Sequence, residues 1–266
     1  MTKGFSLNQA TTKHWPLADL VAGCVTAGVR AVGLWREEVQ AYGVEKAASL
    51  VRDSGLTVSS LCRGGFFHDA GWYDDNRRAI EEAAALGTDT LVLVSGGLPG
   101  SSRDLDGARR HVGDAIGALV PDARAAGVRL AIEPLHPMFC SDRCVVATLG
   151  QALDLAAPYP ADAVGVCVDT YHLWWDDQVW QHIAAAAGRI AAFQLADWIT
   201  PLPAGVLLGR GLPGTGCIDL PRFAAAVENA GYDGWVEVEV FHEDVWARPG
   251  AEVLADAYAG YRAAVA

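Results

Sequence analysis

The sequence predicts an α/β fold, a single (β/α)8 TIM barrel spanning residues 1–266. Three observations carry this. Short apolar strands alternate with Ala-rich amphipathic stretches, the alternation recurs eight times without a linker or composition break, and many helical stretches end in Gly just before the next strand. Strands separated by helices pair in parallel through crossovers. Eight such units in 266 residues match the roughly 250 residues of a closed barrel.

Taken in order, the candidate strands are FSLNQA (5–10), AVGLW (31–35), LTVSSL (56–61), DTLVLVS (89–95), VRLAIEP (128–134), VGVCVD (164–169), AAFQLAD (191–197) and WVEVEVF (235–241). Helical stretches such as LADLVAGCVTAG, RRAIEEAAALG and LPRFAAAVENAG lie between them. The Gly in TAGV, AAGV and NAGY supplies the left-handed residue that closes a helix. A doubly wound open sheet is the competing architecture. It is disfavoured because no Gly-rich phosphate fingerprint follows the first strand.

Composition narrows the partners. Hydrophobic residues make up 52% of the chain, enough for a sizeable core. No apolar run approaches the roughly 18 residues of a membrane helix, and the N-terminus lacks the apolar segment of a secretory signal. The six cysteines are scattered without a CxxC pair, which predicts reduced thiols and a cytoplasmic location. Cys140 and Cys144 find no second pair with which to complete a zinc site. A net charge of −12 without a basic cluster argues against nucleic acid as a partner.

In such a barrel the chemistry sits where the strands end. Strand five ends in Glu133 and strand six in Asp169; strand seven carries Gln194, and strand eight carries Glu237 and Glu239. Side chains alternate along a strand, so Glu237 and Glu239 share a face, with Glu237 one layer deeper. One acid at a strand end is commonly a helix cap or a solvated residue. Oxygen-bearing side chains on four successive strands are a different matter. Three carboxylates gathered out of water cannot all stay ionised without a cation, and a shared divalent metal removes the difficulty.

The stretches AIEPLHP, VDTYHLWW, FQLADW, PGTGCIDLPRF and GYDGWVEVEVF together resemble the sugar phosphate isomerase/epimerase superfamily of xylose isomerase-like barrels. That group includes ketose 3-epimerases, hydroxypyruvate isomerase, inosose dehydratase and endonuclease IV. The resemblance covers nearly the whole chain. It implies that Glu133, Asp169, Gln194 and Glu239 hold the metal, although the epimerases have His at the third position. Hydroxypyruvate isomerases carry Gln there. It further implies that Glu133 and Glu239 are the acid/base pair and that His172 contacts a substrate oxygen. The additional His and acidic ligands that the endonuclease branch requires are not found.

An oxygen-only ligand set suits Mn²⁺ or Mg²⁺, with Co²⁺ as a substitute. The ion would polarise the carbonyl of a small sugar or cyclitol and stabilise an enediolate. The expected activity is isomerisation or epimerisation. A lyase acting on a keto-cyclitol or an oxidised sugar is one alternative, and a sugar-binding or partner-dependent barrel is another. The sequence leaves the oligomeric state open, a homo-oligomer included. His136, Arg210 and His68 are further candidates for substrate contact. Arg36 and Arg63, ending strands two and three, are candidates for an anionic group or for ordinary salt bridges. Trp15, Trp35, Phe66 and Trp198 are candidate walls of the pocket, and Glu237 reads as a buried structural acid.

Overall fold

A computed structural model describes residues 2–203 and 205–266. The eight barrel strands are β1 (Gly4–Asn8), β2 (Ala31–Trp35), β3 (Thr57–Gly65), β4 (Thr90–Val94), β5 (Arg129–Ile132), β6 (Val164–Asp169), β7 (Ile190–Leu195) and β8 (Trp235–Val238). All neighbours pair in parallel, and β8 returns to β1 through Gly4 opposite Trp235 and Leu7 opposite Val238, closing the barrel. Helices surround it, among them Leu17–Thr26, Trp72–Leu86, Leu105–Ala125 and Gly250–Val265. None among the described residues is long and apolar enough to cross a membrane. Left-handed glycines follow Leu17–Thr26, Leu105–Ala125 and Leu220–Asn229, at Gly28 (φ +71°), Gly127 (φ +70°) and Gly231 (φ +86°).

Five strands, β1, β4, β5, β7 and β8, end earlier than their apolar patterns suggest, and for β1 and β5 the cause is visible. Asn8 closes β1 because its side chain accepts from the Ala10 amide at 2.9 Å and turns the chain into a 3-10 segment over Gln9–Thr12. β5 stops at Ile132, although the Glu133 amide still donates to Leu93 at 3.0 Å; Pro134, lacking an N–H, cannot extend the ladder. β8 stops at Val238, with Glu239 held by one more bond to the Leu195 carbonyl at 3.2 Å. β3 runs longer, to Gly65, through a register shift between Cys62 and Gly64.

Outward-facing Val236 and Val238 are fully buried under the helices. The barrel interior is polar instead. Ser6, Asn8, Ser60, Gln194 and Glu237 are all buried there. Glu237 accepts from Asn8 Nδ2 at 2.7 Å, Ser59 Oγ at 2.5 Å, Ser60 Oγ at 2.9 Å and Gln194 Nε2 at 3.1 Å. These donors satisfy a buried acid without any counter-charge. Gly33 makes room for it: a Cβ there would lie 2.5 Å from the Glu237 carboxyl carbon.

Between β7 and β8 the chain makes a short antiparallel ribbon, Asp197–Trp198 against Arg210–Gly211. Asp197 pins the returning loop by accepting from the amides of Gly214, Gly216 and Ile218 at 2.9–3.0 Å. This ribbon brings Arg210 back over the barrel mouth.

Candidate functional site

The C-terminal ends of β5 to β8 converge on one buried cluster. Glu133, Asp169, His172, Arg210 and Glu239 are each at most 5% exposed. Asp169 serves two structures at once. Its Oδ1 accepts from the Tyr171 amide at 2.7 Å and caps the turn Thr170–Leu173. Its Oδ2 accepts from Arg210 Nη1 at 2.9 Å. The same Nη1 donates to Glu239 Oε2, also at 2.9 Å. The Arg210 guanidinium therefore bridges two of the three carboxylates. It is flanked by the rings of Tyr171 and Phe241, each centred 5.1 Å away.

Glu133 is left out of this bridge. Its Oε1 is buried without a hydrogen-bond partner. Burial first, then the charges of Asp169 and Glu239, push its carboxyl well above the usual range. Burial likewise raises Asp169 against the pull of Arg210, and pushes Glu239 up to about 7. Burial alone would lower Arg210, but Asp169, Glu239 and Glu133 outweigh it and raise the guanidinium. Three carboxylates against one guanidinium leave two negative charges when all are ionised, the charge that one divalent cation would balance. Donor atoms of Glu133, Asp169 and His172 all lie within 4.8 Å of one another. The orphaned Glu133 oxygen and the predominance of carboxylates fit a hard cation.

His172 is buried, and burial, Arg210 and His136 push its pKa well below the usual value, so the ring is neutral. Its Nδ1 lies 3.2 Å from the His136 amide nitrogen. Nε2 in turn lies 3.0 Å from Arg210 Nη2 and 4.0 Å from Glu133 Oε1. A neutral ring has one acceptor nitrogen, yet an N–H group is aimed at each of its two, the His136 amide at Nδ1 and the Arg210 guanidinium at Nε2, so only one of these contacts is a hydrogen bond in either tautomer.

Gln194 occupies the expected strand end, but its amide engages the layer below. Oε1 lies 3.4 Å from Cys167 Sγ, and Nε2 donates to Glu237. The Glu237 carboxylate dictates this orientation, since a flipped amide would set oxygen against oxygen. Cys62 stands beside Glu239, with its thiol pushed well above the usual range by burial and by the charge of Glu239. It remains a thiol rather than a thiolate.

A cavity of about 130 Å³ opens onto the cluster, lined in part by Trp35, Arg63, Phe66, Glu133, His172, Arg210, Glu239 and Phe241. A larger hollow of about 490 Å³ lies at the opposite end, among the residues that start the strands. It brings together no group of metal-ligating side chains. His136 does not line the smaller cavity. Its backbone orients His172, and its ring packs 5.2 Å from that of Trp198. His68 also lies outside that lining. Its Nδ1 is buried without a partner against Gly96, and its Nε2 is 3.2 Å from Asp69. Arg36 is committed to Glu82 at 2.6 Å and Asp75 at 2.9 Å. Trp35 and Phe66 wall the cavity, whereas Trp15 packs against Gly23 and Gly250 and Trp198 stacks on Tyr171.

Sequence reasoning missed three features. Asn8, Ser59 and Ser60 cradle Glu237, and the polar alternation in SLN and SS was the available signal. Arg210 bridges two of the expected ligands. Arg143 joins the cavity from the loop after β5, with no signal beyond its position.

Comparisons with known proteins accord with this architecture. Inosose isomerase of Bacillus licheniformis is 28% identical over 135 residues, which is 50% of this chain and 47% of that protein. The chain thus matches only about half the length of these curated relatives. The crystal structure of protein SMc04130 from Sinorhizobium meliloti 1021 is 46% identical, with a TM-score of 0.94 over 99% of both chains. The IOLI protein, solved with a bound zinc atom, shares the fold at 21% identity and a TM-score of 0.82 over 98% of this chain and 97% of its own. The sequence profile described as xylose isomerase-like TIM barrel matches residues 21–259. The chain belongs to the xylose isomerase-like TIM-barrel family.

Proposed function

We propose that the protein is a divalent-metal-dependent isomerase or epimerase of a small keto- or aldo-sugar or cyclitol. The observation that carries this reading is the mouth cluster: three buried carboxylates, one guanidinium, and a Glu133 oxygen with no partner. Glu133, Asp169 and Glu239 would hold the ion, and Gln194, by its place on β7, would join them as the neutral fourth donor only on turning its amide away from Glu237. The ion, Mn²⁺ or Mg²⁺ with Co²⁺ as a substitute, would supply fixed positive charge beside a substrate carbonyl and so acidify the adjacent C–H. A zinc atom in the IOLI protein, and relatives named inosose isomerase, support both parts of the reading.

The chain's own groups supply the proton transfers. Burial makes Glu133 and Glu239 basic enough to take a carbon-bound proton and to hold it until its return. One carboxylate removes the proton from the carbon next to the carbonyl. The other carboxylate, already protonated, delivers its own proton to the opposite face of that carbon and gives an epimer. Return of the first proton to the former carbonyl carbon, with the hydroxyl proton passing to the former carbonyl oxygen, gives the isomer. His172, at the cavity wall, contacts a substrate oxygen, and Trp35, Phe66 and Phe241 exclude water from the reacting carbon.

Turnover in D₂O tests the proposal. Over many turnovers, recovered substrate or product should gain deuterium at the carbon beside the carbonyl, and the gain should cease after chelation. No deuterium in either pool, across ketoses, aldoses and inososes that bind, would overturn it.

A further inference from the structure

The cavity has a second wall that the proposed proton transfers do not use. Arg63, in β3, differs sharply from Arg36 at the end of β2. Arg36 is buried and neutralised by Glu82 and Asp75. The Arg63 side chain makes no hydrogen bond and no ion pair among the described residues, although its guanidinium is half-buried. It lies over the Phe66 ring, 3.9 Å from the centroid. Phe66 holds that ring with φ at +48°, a left-handed backbone that a bulky side chain rarely adopts. Arg143 lines the same cavity. Its ion-pair partner is Asp142, its own chain neighbour, at 3.9 Å.

Two cations that face one small cavity repel each other. The Arg63 guanidinium is lowered by burial first, and by Arg143 and Arg36 as well, against the attraction of Glu37. Such an arrangement is unfavourable unless an anion joins it, and guanidinium groups bind carboxylate and phosphate through paired N–H donors. The acidic cluster repels an anion from the reacting end of the cavity. The two arginines attract one to the other wall. A substrate with a carbonyl at one end and a negative group at the other would be oriented by both.

We propose that Arg63 and Arg143 form an anion subsite of the reaction cavity, and that the substrate is a small hydroxycarbonyl compound carrying a terminal carboxylate or phosphate. This rests on the proposed isomerase or epimerase activity for the reacting end, but the subsite itself can be measured without turnover.

The experiment is calorimetric titration of the full chain at low salt with inorganic phosphate, with D-glycerate and with neutral glycerol. It uses the wild type, Arg63→Gln and Arg143→Gln, each with and without Mg²⁺. Phosphate or glycerate should bind the wild type and weaken about tenfold or more in each variant, the scale of a lost charged hydrogen bond. Glycerol should show no such dependence. Phosphate binding without glycerate binding assigns a phosphorylated substrate, and the reverse assigns a carboxylate. A melting curve of each variant checks its fold. If Arg63→Gln does not fold, Arg143→Gln decides, because that side chain is 38% exposed and sits on a loop outside the barrel strands. Failure of both anions to bind, or equal binding to wild type and variants, overturns the subsite. Anion binding that depends on these arginines, in a protein that exchanges no deuterium, would instead overturn the isomerase reading and leave the subsite standing.

Discussion

Asp169 shows how one side chain can be at once a helix cap and a candidate metal ligand, because a carboxylate has two oxygens and each faces a different task. Asp169→Asn separates them. Asn caps helices as well as Asp does, so the turn Thr170–Leu173 should persist, with little loss of secondary structure by circular dichroism. The charge is gone, and metal retained per chain after dialysis should fall sharply by elemental analysis. Full metal retention would remove Asp169 from the ligand set. The two acids of β8 and its extension offer a parallel contrast. Glu239→Gln should lose metal, whereas Glu237→Gln should keep it and lose about 1–3 kcal/mol of stability, because an amide cannot accept from all four donors now aimed at the carboxylate. Equal metal loss in both would show that Glu239 is not the ligand. For His172, the neutral buried ring is a positioning group. His172→Ala should retain metal while slowing turnover by roughly 10²-fold, and unchanged turnover would leave the ring a packing role only.

At the scale of elements, the eight strands were legible because apolar runs bounded by Gly and by helical periodicity leave little choice. Strands β2 and β6 have the boundaries their sequences suggest, whereas β1 is cut short by the Asn8 side chain and β3 is lengthened through a register shift. Glu133, Asp169 and Glu239 were legible as strand-end acids, and their convergence follows from closure of the barrel. The deeper partners were not legible. Glu237 finds Asn8 and Ser60 only because β8 meets β1 and β3 lies across the barrel, and the polar residues of SLN and SS mark the cradle without showing which acid it holds. Arg210 stands among the acids only because a ribbon returns it from a loop. Gly33 is the element-scale signature of the buried acid. With Gly33→Ala, a methyl group would meet the Glu237 carboxyl carbon at 2.5 Å, so either the strand or the acid must move. Overpacking of this kind costs typically 1–3 kcal/mol, and a urea titration should show a lower midpoint with an unchanged slope. A midpoint equal to wild type would mean that Glu237 is looser than its four donors imply.

At the scale of the whole molecule, the mouth cluster ties folding stability to protons and to metal. Burial raises the Glu239 carboxyl to about 7 in the folded chain and raises Glu133 and Asp169 as well, whereas in the unfolded chain such groups titrate near their ordinary values, about 4. The metal-free folded state therefore holds more protons than the unfolded state between those limits. Its contribution from these groups is full below the unfolded pKa and is lost as pH rises through the folded one. A cation that replaces those protons should reverse the trend, since carboxylates must be deprotonated to bind it. At about a hundredfold excess over Kd, a bound ion adds about 2.7 kcal/mol, or about 5 °C in melting temperature for a domain of this length. The rise in melting temperature on adding Mn²⁺ or Mg²⁺ should thus be small near about pH 5.5 and approach that value near about pH 8. Differential scanning calorimetry of chelated and reloaded protein at both values measures it. An increment that is equal at the two values, or larger in acid, would place the ion away from Glu133, Asp169 and Glu239, because only carboxylates that surrender protons to the metal make its grip strengthen as the solution becomes alkaline.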